Sequence, residues 1–115
     1  MKICFHVDQN ERWATCLGNI KNTLAYFEEA RIEGSIVVIA NSEAVQQLVA
    51  EQVDEASLHA IQAFIDRKVV VAACRNALAG NDISEDALIP GVRTVPAGII
   101  ALAEKQEEGY AYIRP

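Results

Sequence analysis

The chain has 115 residues, 51% of them hydrophobic, and its 16 acidic and 10 basic side chains give a net charge of −6. This length allows one hydrophobic core and a single domain, residues 1–115, with no room for a separate substrate domain. The negative charge argues against the basic surfaces by which proteins bind nucleic acid or anionic membranes, so we expect neither partner. No apolar run approaches the length of a signal peptide core or a membrane span, and we expect a cytoplasmic protein.

The first third of the chain predicts two strands with a long helix between them. Residues 3–7 and 35–40 are short apolar runs typical of buried strands. The helix is predicted by apolar residues that recur every three or four positions, namely Trp13, Leu17, Ile20, Leu24 and Phe27. Asp8 or Asn10 is its expected cap, and Gly34 its expected stop.

The rest of the chain continues this alternation of strands and helices. Helical patterns are found at 45–49, with Asn41, Ser42 and Glu43 as the expected cap, at 58–65, and from Pro96 to about Glu108. Strand-like runs are found at 69–74, 92–95 and 110–113. Strands that alternate with helices predict right-handed βαβ crossovers. The expected fold is therefore an α/β domain of three layers, α/β/α, with a mostly parallel sheet of the flavodoxin-like or Rossmann-like type.

Cys74 is the best candidate for chemistry, because it stands where a buried strand is predicted to end and a helical turn to begin. Open parallel sheets bind ligands just beyond the carboxyl ends of their strands, and the amides of a helix start stabilise a thiolate. Arg75 and Asn76 follow directly and are candidates for holding an anionic sulfur or substrate. Asn76 could equally bond only to the local backbone.

His6 and Asp8 end the first predicted strand, at the same edge of the sheet as Cys74 if all strands are parallel. His6 is therefore a candidate to pair with the thiolate or to shuttle its proton, and the alternative is a histidine bonded to a backbone carbonyl. Asp8 is a candidate supporting residue at this edge, although a role in a turn or helix cap is the simpler interpretation.

The other two cysteines, Cys4 and Cys16, are predicted to act as small buried hydrophobic residues. The three cysteines form no CxxC or CxxxC pair, which argues against a disulfide framework. A zinc site built from Cys4, His6 and Cys74 is a less favoured alternative, because metal ligands usually cluster more tightly in sequence. The chain has no GxGxxG, Walker, HExxH or GxSxG motif. We therefore expect no metal and no organic cofactor.

Five segments taken together resemble the DsrE/DsrF-like family, and in particular its small stand-alone members. They are FHVD at 5–8, NIKN at 19–22, ACRNAL at 73–78, VPAG at 95–98 and QEEGYAYIRP at 106–115. The resemblance covers essentially the whole chain. It implies a parallel sheet of about five strands, assembly into homotrimers or homohexamers, and a role in handling sulfur. In the characterised sulfur-relay members a cysteine after the third strand carries a persulfide, and the matching residue is Cys74.

The leading hypothesis from the sequence is a homo-oligomeric sulfur carrier or sulfurtransferase-like protein. Cys74 would accept a sulfane sulfur, hold it as a persulfide and pass it to an acceptor thiol, with sulfur donor and acceptor proteins as partners. Two alternatives remain at this point, a non-catalytic module that binds a small ligand and a structural or regulatory assembly subunit. The tyrosine-rich end of the chain, residues 110–113, is expected to form a subunit contact.

Overall fold

All five predicted strands pair into one sheet in the computed structural model, which describes residues 1–115. The strands are β1 (Lys2–Val7), β2 (Ser35–Ala40), β3 (Val70–Cys74), β4 (Arg93–Val95) and β5 (Ala111–Ile113). They lie in the order β4-β3-β2-β1-β5, and every neighbouring pair is parallel. The predicted α/β fold is thus confirmed, with a sheet that is parallel throughout.

Four α-helices and three short 3-10 segments connect the strands. The helices are α1 (Trp13–Ala30), α2 (Glu55–Asp66), α3 (Arg75–Gly80) and α4 (Gly98–Glu107). The 3-10 segments are Asn10–Arg12, Ser42–Leu48 and Glu85–Ala87. None of the helices combines the length and the apolar character that crossing a lipid bilayer would require.

The predicted helix over 45–49 is wrong in type and in its end. The segment is the 3-10 helix Ser42–Leu48, which stops before Val49. Val49 is extended and forms an isolated antiparallel bridge with Leu88, so its backbone is committed to a partner outside any helix.

Both predicted ends of α1 also differ in the structure. The helix begins at Trp13 without a side-chain cap, because the 3-10 turn Asn10–Arg12 leads directly into it. It ends at Ala30, and the next residue, Arg31, adopts the left-handed conformation at φ 54° and so provides the C-terminal turn expected from Gly34. Gly34 has a different role, since a Cβ at that position would overlap the ring of Phe27.

The connections between strands explain how the layers are built. The chain steps from β1 to β2, β3 and β4 in one direction across the sheet, and right-handed crossovers keep the connecting helices on one face. The larger core of 21 buried residues lies on that face. The chain then crosses from β4 to β5 at the opposite edge through α4, which covers the other face. There Leu102 packs against a small core of Cys4, Val37, Ile39 and Ala72.

The neighbouring strands β3 and β4 are therefore followed by helices that leave toward opposite faces of the sheet. Cys74 and Val95, the last residues of these strands, pair in register. Open α/β sheets form a crevice beyond the strand ends at such a reversal, and this crevice is the usual place for a ligand.

Candidate functional site

A cleft of about 340 Å³ lies at this reversal, beyond the carboxyl ends of three adjacent strands. Its lining comes from the segments that follow β2, β3 and β4, and consists of Asn41, Ser42, Cys74, Asn76, Ala77, Ala97, Gly98 and Ile99. No charged side chain is among them. The cleft therefore offers a thiol, two side-chain amides, a hydroxyl and backbone groups.

The Cys74 thiol lies at the wall of this cleft and is 6% exposed. Its Sγ accepts a hydrogen bond of 3.2 Å from the backbone N–H of Gly98. Gly98 is the first residue of α4, and the first amides of an α-helix have no partner within the helix and lie at the positive end of its dipole. This contact stabilises negative charge on the sulfur. The sequence indicated a helix start directly after Cys74, but the amide that bonds the sulfur belongs to α4.

Gly98 allows this close approach because it lacks a side chain. A Cβ at this position would lie 3.1 Å from the Cβ of Asn41 and 3.2 Å from the Cβ of Cys74. The start of α4 thus packs tightly against the ends of β2 and β3, and a side chain at this position would require α4 or its neighbours to shift.

His6 is on β1, the neighbour of β2, and lies at the same edge of the sheet as the cleft. His6 and Cys74 face the α4 side, because each stands two residues after a member of the small core there, Cys4 and Ala72 respectively. The imidazole is bonded by Nε2 to Oδ1 of Asn41 at 2.9 Å and by Nδ1 to the hydroxyl of Tyr112 at 2.5 Å. No hydrogen bond joins His6 to Cys74. The two hydrogen-bond partners of His6, Asn41 and Tyr112, are side chains instead of a backbone carbonyl, and of these Asn41 shares the lining of the cleft with Cys74.

The remaining residues singled out in the sequence are divided between the cleft and its surroundings. Asn76 lines the cleft. Arg75 does not, and its Nε forms an ion pair of 3.2 Å with Glu85. The Asp8 carboxylate accepts two hydrogen bonds from Arg114, at 3.0 and 3.1 Å, and caps no helix. The structure thus brings together Cys74 and Asn76 in the cleft, while His6 lies outside the lining and contacts Asn41, which is part of it.

Comparison with known proteins agrees with the fold described above. Residues 1–115, the whole chain, match the DsrE/DsrF-like family. The chain belongs to that family. A solved structure of a protein of unknown function, MTH1491 from Methanobacterium thermoautotrophicum, is similar to it with a TM-score of 0.86 and 29% sequence identity, over 99% of this chain and 98% of that chain. Among curated proteins there is no match.

The other two thiols of this DsrE/DsrF-like protein lie in apolar surroundings. Cys4 and Cys16 have no exposed surface. Burial raises the pKa of Cys4 to about 11 and that of Cys16 to about 12. All three cysteines are free, and Cys4, His6 and Cys74 do not converge into a cluster of metal ligands.

Sequence reasoning missed Asn41, Ser42 and Tyr112 as members of this region. Asn41 and Ser42 were interpreted only as the start of a helix, and Tyr112 only as a subunit contact. Ser42 has a positive φ of 51°, which is uncommon for a residue with a side chain and is often found at functional sites. The available signal was their position directly after the buried strand-like run 35–40, at the edge where a parallel sheet binds ligands.

Proposed function

We propose that this DsrE/DsrF-like protein is a sulfur carrier in which Cys74 accepts sulfane sulfur, holds it as a persulfide and passes it on. The observation that carries the proposal is the placement of the Cys74 sulfur at the wall of an open cleft, hydrogen-bonded to the first amide of α4. Membership of the DsrE/DsrF-like family supports a sulfur-relay role. Cys4 and Cys16 lack both the opening and the amide donor.

The chemistry is two thiol exchanges. In the first, the Cys74 thiolate attacks the outer sulfur of a donor persulfide R–S–SH, the new S–S bond forms at Sγ, and the donor leaves as the thiolate R–S⁻. In the second, an acceptor thiolate attacks the outer sulfur of the Cys74 persulfide and releases the Cys74 thiolate. The donor is reduced as Cys74 is oxidised, so the two exchanges need no metal, organic cofactor or external oxidant.

The cleft suits these steps in size and in polarity. About 340 Å³ is enough for the end of a cysteine persulfide side chain from a donor protein. The lack of charged lining residues leaves hydrogen-bond donors, the Gly98 N–H among them, to stabilise an anionic sulfur.

We further propose that the protein is a homotrimer or homohexamer in a reducing cytoplasm, and that it receives and delivers sulfur through partner proteins. The apolar side chains of Ile99, which lines the cleft, and of Ile100, which follows it on α4, are 69% and 56% exposed. Tyr112 and Ile113 on the edge strand β5 are each 40% exposed. Two adjacent exposed apolar side chains on α4 and two on β5 support subunit contacts at these positions.

Loading with a small-molecule persulfide tests the carrier proposal. We expect intact-mass spectrometry to show one added sulfur atom on the wild type, on Cys4→Ala and on Cys16→Ala after incubation with glutathione persulfide, and none on Cys74→Ala. Treatment with a reductant should remove the added mass.

Two results would contradict the proposal. A wild type that never gains sulfur would favour the alternative of a small-ligand-binding module. Equal loading of Cys74→Ala and wild type would move the chemistry to another residue.

A further inference from the structure

A chain of three side chains runs along the carboxyl edge of the sheet toward Cys74. Tyr112 lies on β5, His6 on β1 and Asn41 directly after β2, and these strands are adjacent in the order β5-β1-β2. Tyr112 and His6 meet at 2.5 Å, and His6 and Asn41 at 2.9 Å. Both ring nitrogens of His6 are occupied, so the imidazole is held from two sides.

The chemistry of Asn41 fixes the direction of this chain. The oxygen Oδ1 of an amide can only accept, so Nε2 of His6 must carry the proton and donate it. In a neutral imidazole Nδ1 is then unprotonated and accepts the hydroxyl proton of Tyr112. The hydrogen bonds therefore run from Tyr112 to His6 to Asn41.

This direction leaves the NH₂ group of Asn41 available to donate a hydrogen bond into the cleft. Its Nδ2 has no hydrogen-bond partner in the structure, and Asn41 lines the cleft together with Cys74. A Cβ built on Gly98 would lie 3.5 Å from Nδ2 of Asn41 and 3.2 Å from the Cβ of Cys74. The free amide of Asn41 thus lies beside Gly98, the residue whose N–H donates to the Cys74 sulfur.

We propose that Asn41 binds the transferred sulfur, its NH₂ group donating to the outer, anionic sulfur of the Cys74 persulfide as the Gly98 N–H donates to Sγ. His6 and Tyr112 are positioning residues that hold this amide with its oxygen away from the sulfur. The inference rests on the proposed carrier function. It explains how the cleft stabilises an anion although Arg75 is engaged by Glu85.

The most direct test exchanges the donor for an acceptor of the same size. In Asn41→Asp, a carboxylate oxygen still accepts from His6, but the NH₂ group is replaced by a negatively charged oxygen facing the sulfur. We expect the rate of persulfide loading to fall by about tenfold or more, because removing one donor to a developing anion typically costs at least that much. The matched control is Asn22→Asp, which makes the same change in charge at an exposed position on α1 and should load at the wild-type rate.

The positioning role is tested by the state of the His6 ring. We expect ¹⁵N NMR of the neutral wild-type imidazole to show the tautomer protonated at Nε2. Tyr112→Phe removes the partner of Nδ1, so the ring is held from one side only and loading should slow by roughly two- to tenfold, the usual range for one hydrogen bond, while Oδ1 of Asn41 keeps the ring protonated at Nε2. A wild-type ring protonated at Nδ1 would overturn the inferred direction of the chain.

A measurement on the unmutated chain covers the case in which a variant does not fold. Loading with glutathione persulfide should shift the side-chain NH₂ resonances of Asn41 and leave those of Asn22 unchanged. Loading that leaves Asn41 unshifted, or an Asn41→Asp variant that loads as fast as the wild type, would overturn this inference alone. A wild type that never gains sulfur would overturn the carrier function and this inference together.

Discussion

The three cysteines of the chain differ in what surrounds each sulfur atom. Cys4 lies in the small core under α4, and Cys16 in the larger core on the opposite face of the sheet. Neither sulfur reaches solvent, and burial raises the pKa of both thiols. Cys74 lines a cleft, and its sulfur accepts a hydrogen bond from the amide of Gly98, which lines the same cleft. Position in the fold thus separates one candidate carrier from two structural thiols.

Alkylation of the native protein at pH 8 should therefore modify Cys74 alone. With a pKa of about 11, roughly one Cys4 thiol in a thousand is ionised at that pH, and still fewer of Cys16. Reaction of these two should appear only as the pH rises toward 11 and 12, and peptide mapping after iodoacetamide treatment measures it. Denatured protein, in which all three thiols react at pH 8, is the control. Rapid native alkylation of Cys4 or Cys16 would contradict their assigned burial.

Some site residues could be found from the sequence and others could not. Cys74 could be predicted as a site residue because a run of β-branched and small residues marks the end of a buried strand. The contacts of His6 depend on Asn41, 35 positions away, and on Tyr112, 106 positions away. These meet only because β5 and β2 flank β1, an order that local patterns do not encode. Arg75 adjoins Cys74 in sequence, but its side chain is held by Glu85 outside the cleft lining.

At the scale of elements, the start of α4 makes the contact on which the site depends. Its first residue donates to the Cys74 sulfur and packs against the Cβ atoms of Asn41 and Cys74. The sequence placed this helix at Pro96, whereas the structure begins it at Gly98. The difference moves the first free amide to the residue that faces the thiol.

Gly98→Ala should weaken both the fold and the site. The added methyl group would lie 3.1 and 3.2 Å from two neighbouring Cβ atoms, closer than ordinary contact, so α4 or these neighbours must shift to make room. We expect the free energy of unfolding to fall by about 1–3 kcal/mol, the usual cost of overpacking, and persulfide loading to slow as the N–H leaves the sulfur.

Gly18→Ala is the matched control for this change. Gly18 is exposed within α1 and has no atom within 4 Å of the position of an added Cβ. Alanine there should raise the free energy of unfolding by about 0.5–1 kcal/mol through helix propensity. Urea denaturation of both variants measures the difference, and equal stabilisation by the two substitutions would show that α4 tolerates the methyl group.

At the scale of the whole molecule, the alternation of strands and helices was enough to predict the fold class. Right-handed crossovers between sequential strands then place most helices on one face. The long crossover from β4 to β5 was not predictable from local pattern, because β4 and β5 are three-residue strands at opposite edges. That crossover sends α4 to the second face and creates the cleft.

The proposed oligomer should depend on the apolar surface beside this cleft. We expect size-exclusion chromatography with light scattering to show a wild-type trimer or hexamer, and Ile99→Lys to shift it toward the monomer by placing a charge in the contact. Ala25→Lys, at an exposed position on α1, adds the same charge elsewhere and should keep the wild-type mass. A folded wild-type monomer at micromolar concentration would contradict the oligomer proposal.

Truncation of residues 110–115 is a poorer test of assembly, because it removes β5 and the Tyr112 contact with His6.

Delivery of sulfur from the loaded protein tests the central claim most directly. Protein loaded with one sulfur atom, freed of donor and mixed with an excess of an acceptor thiol should return to its unmodified mass while one equivalent of acceptor persulfide forms. Cys74→Ala taken through the same steps should deliver none. Loaded wild type that keeps its sulfur in the presence of the acceptor, or Cys74→Ala that delivers as much as the wild type, would contradict the assignment of Cys74 as a sulfur carrier.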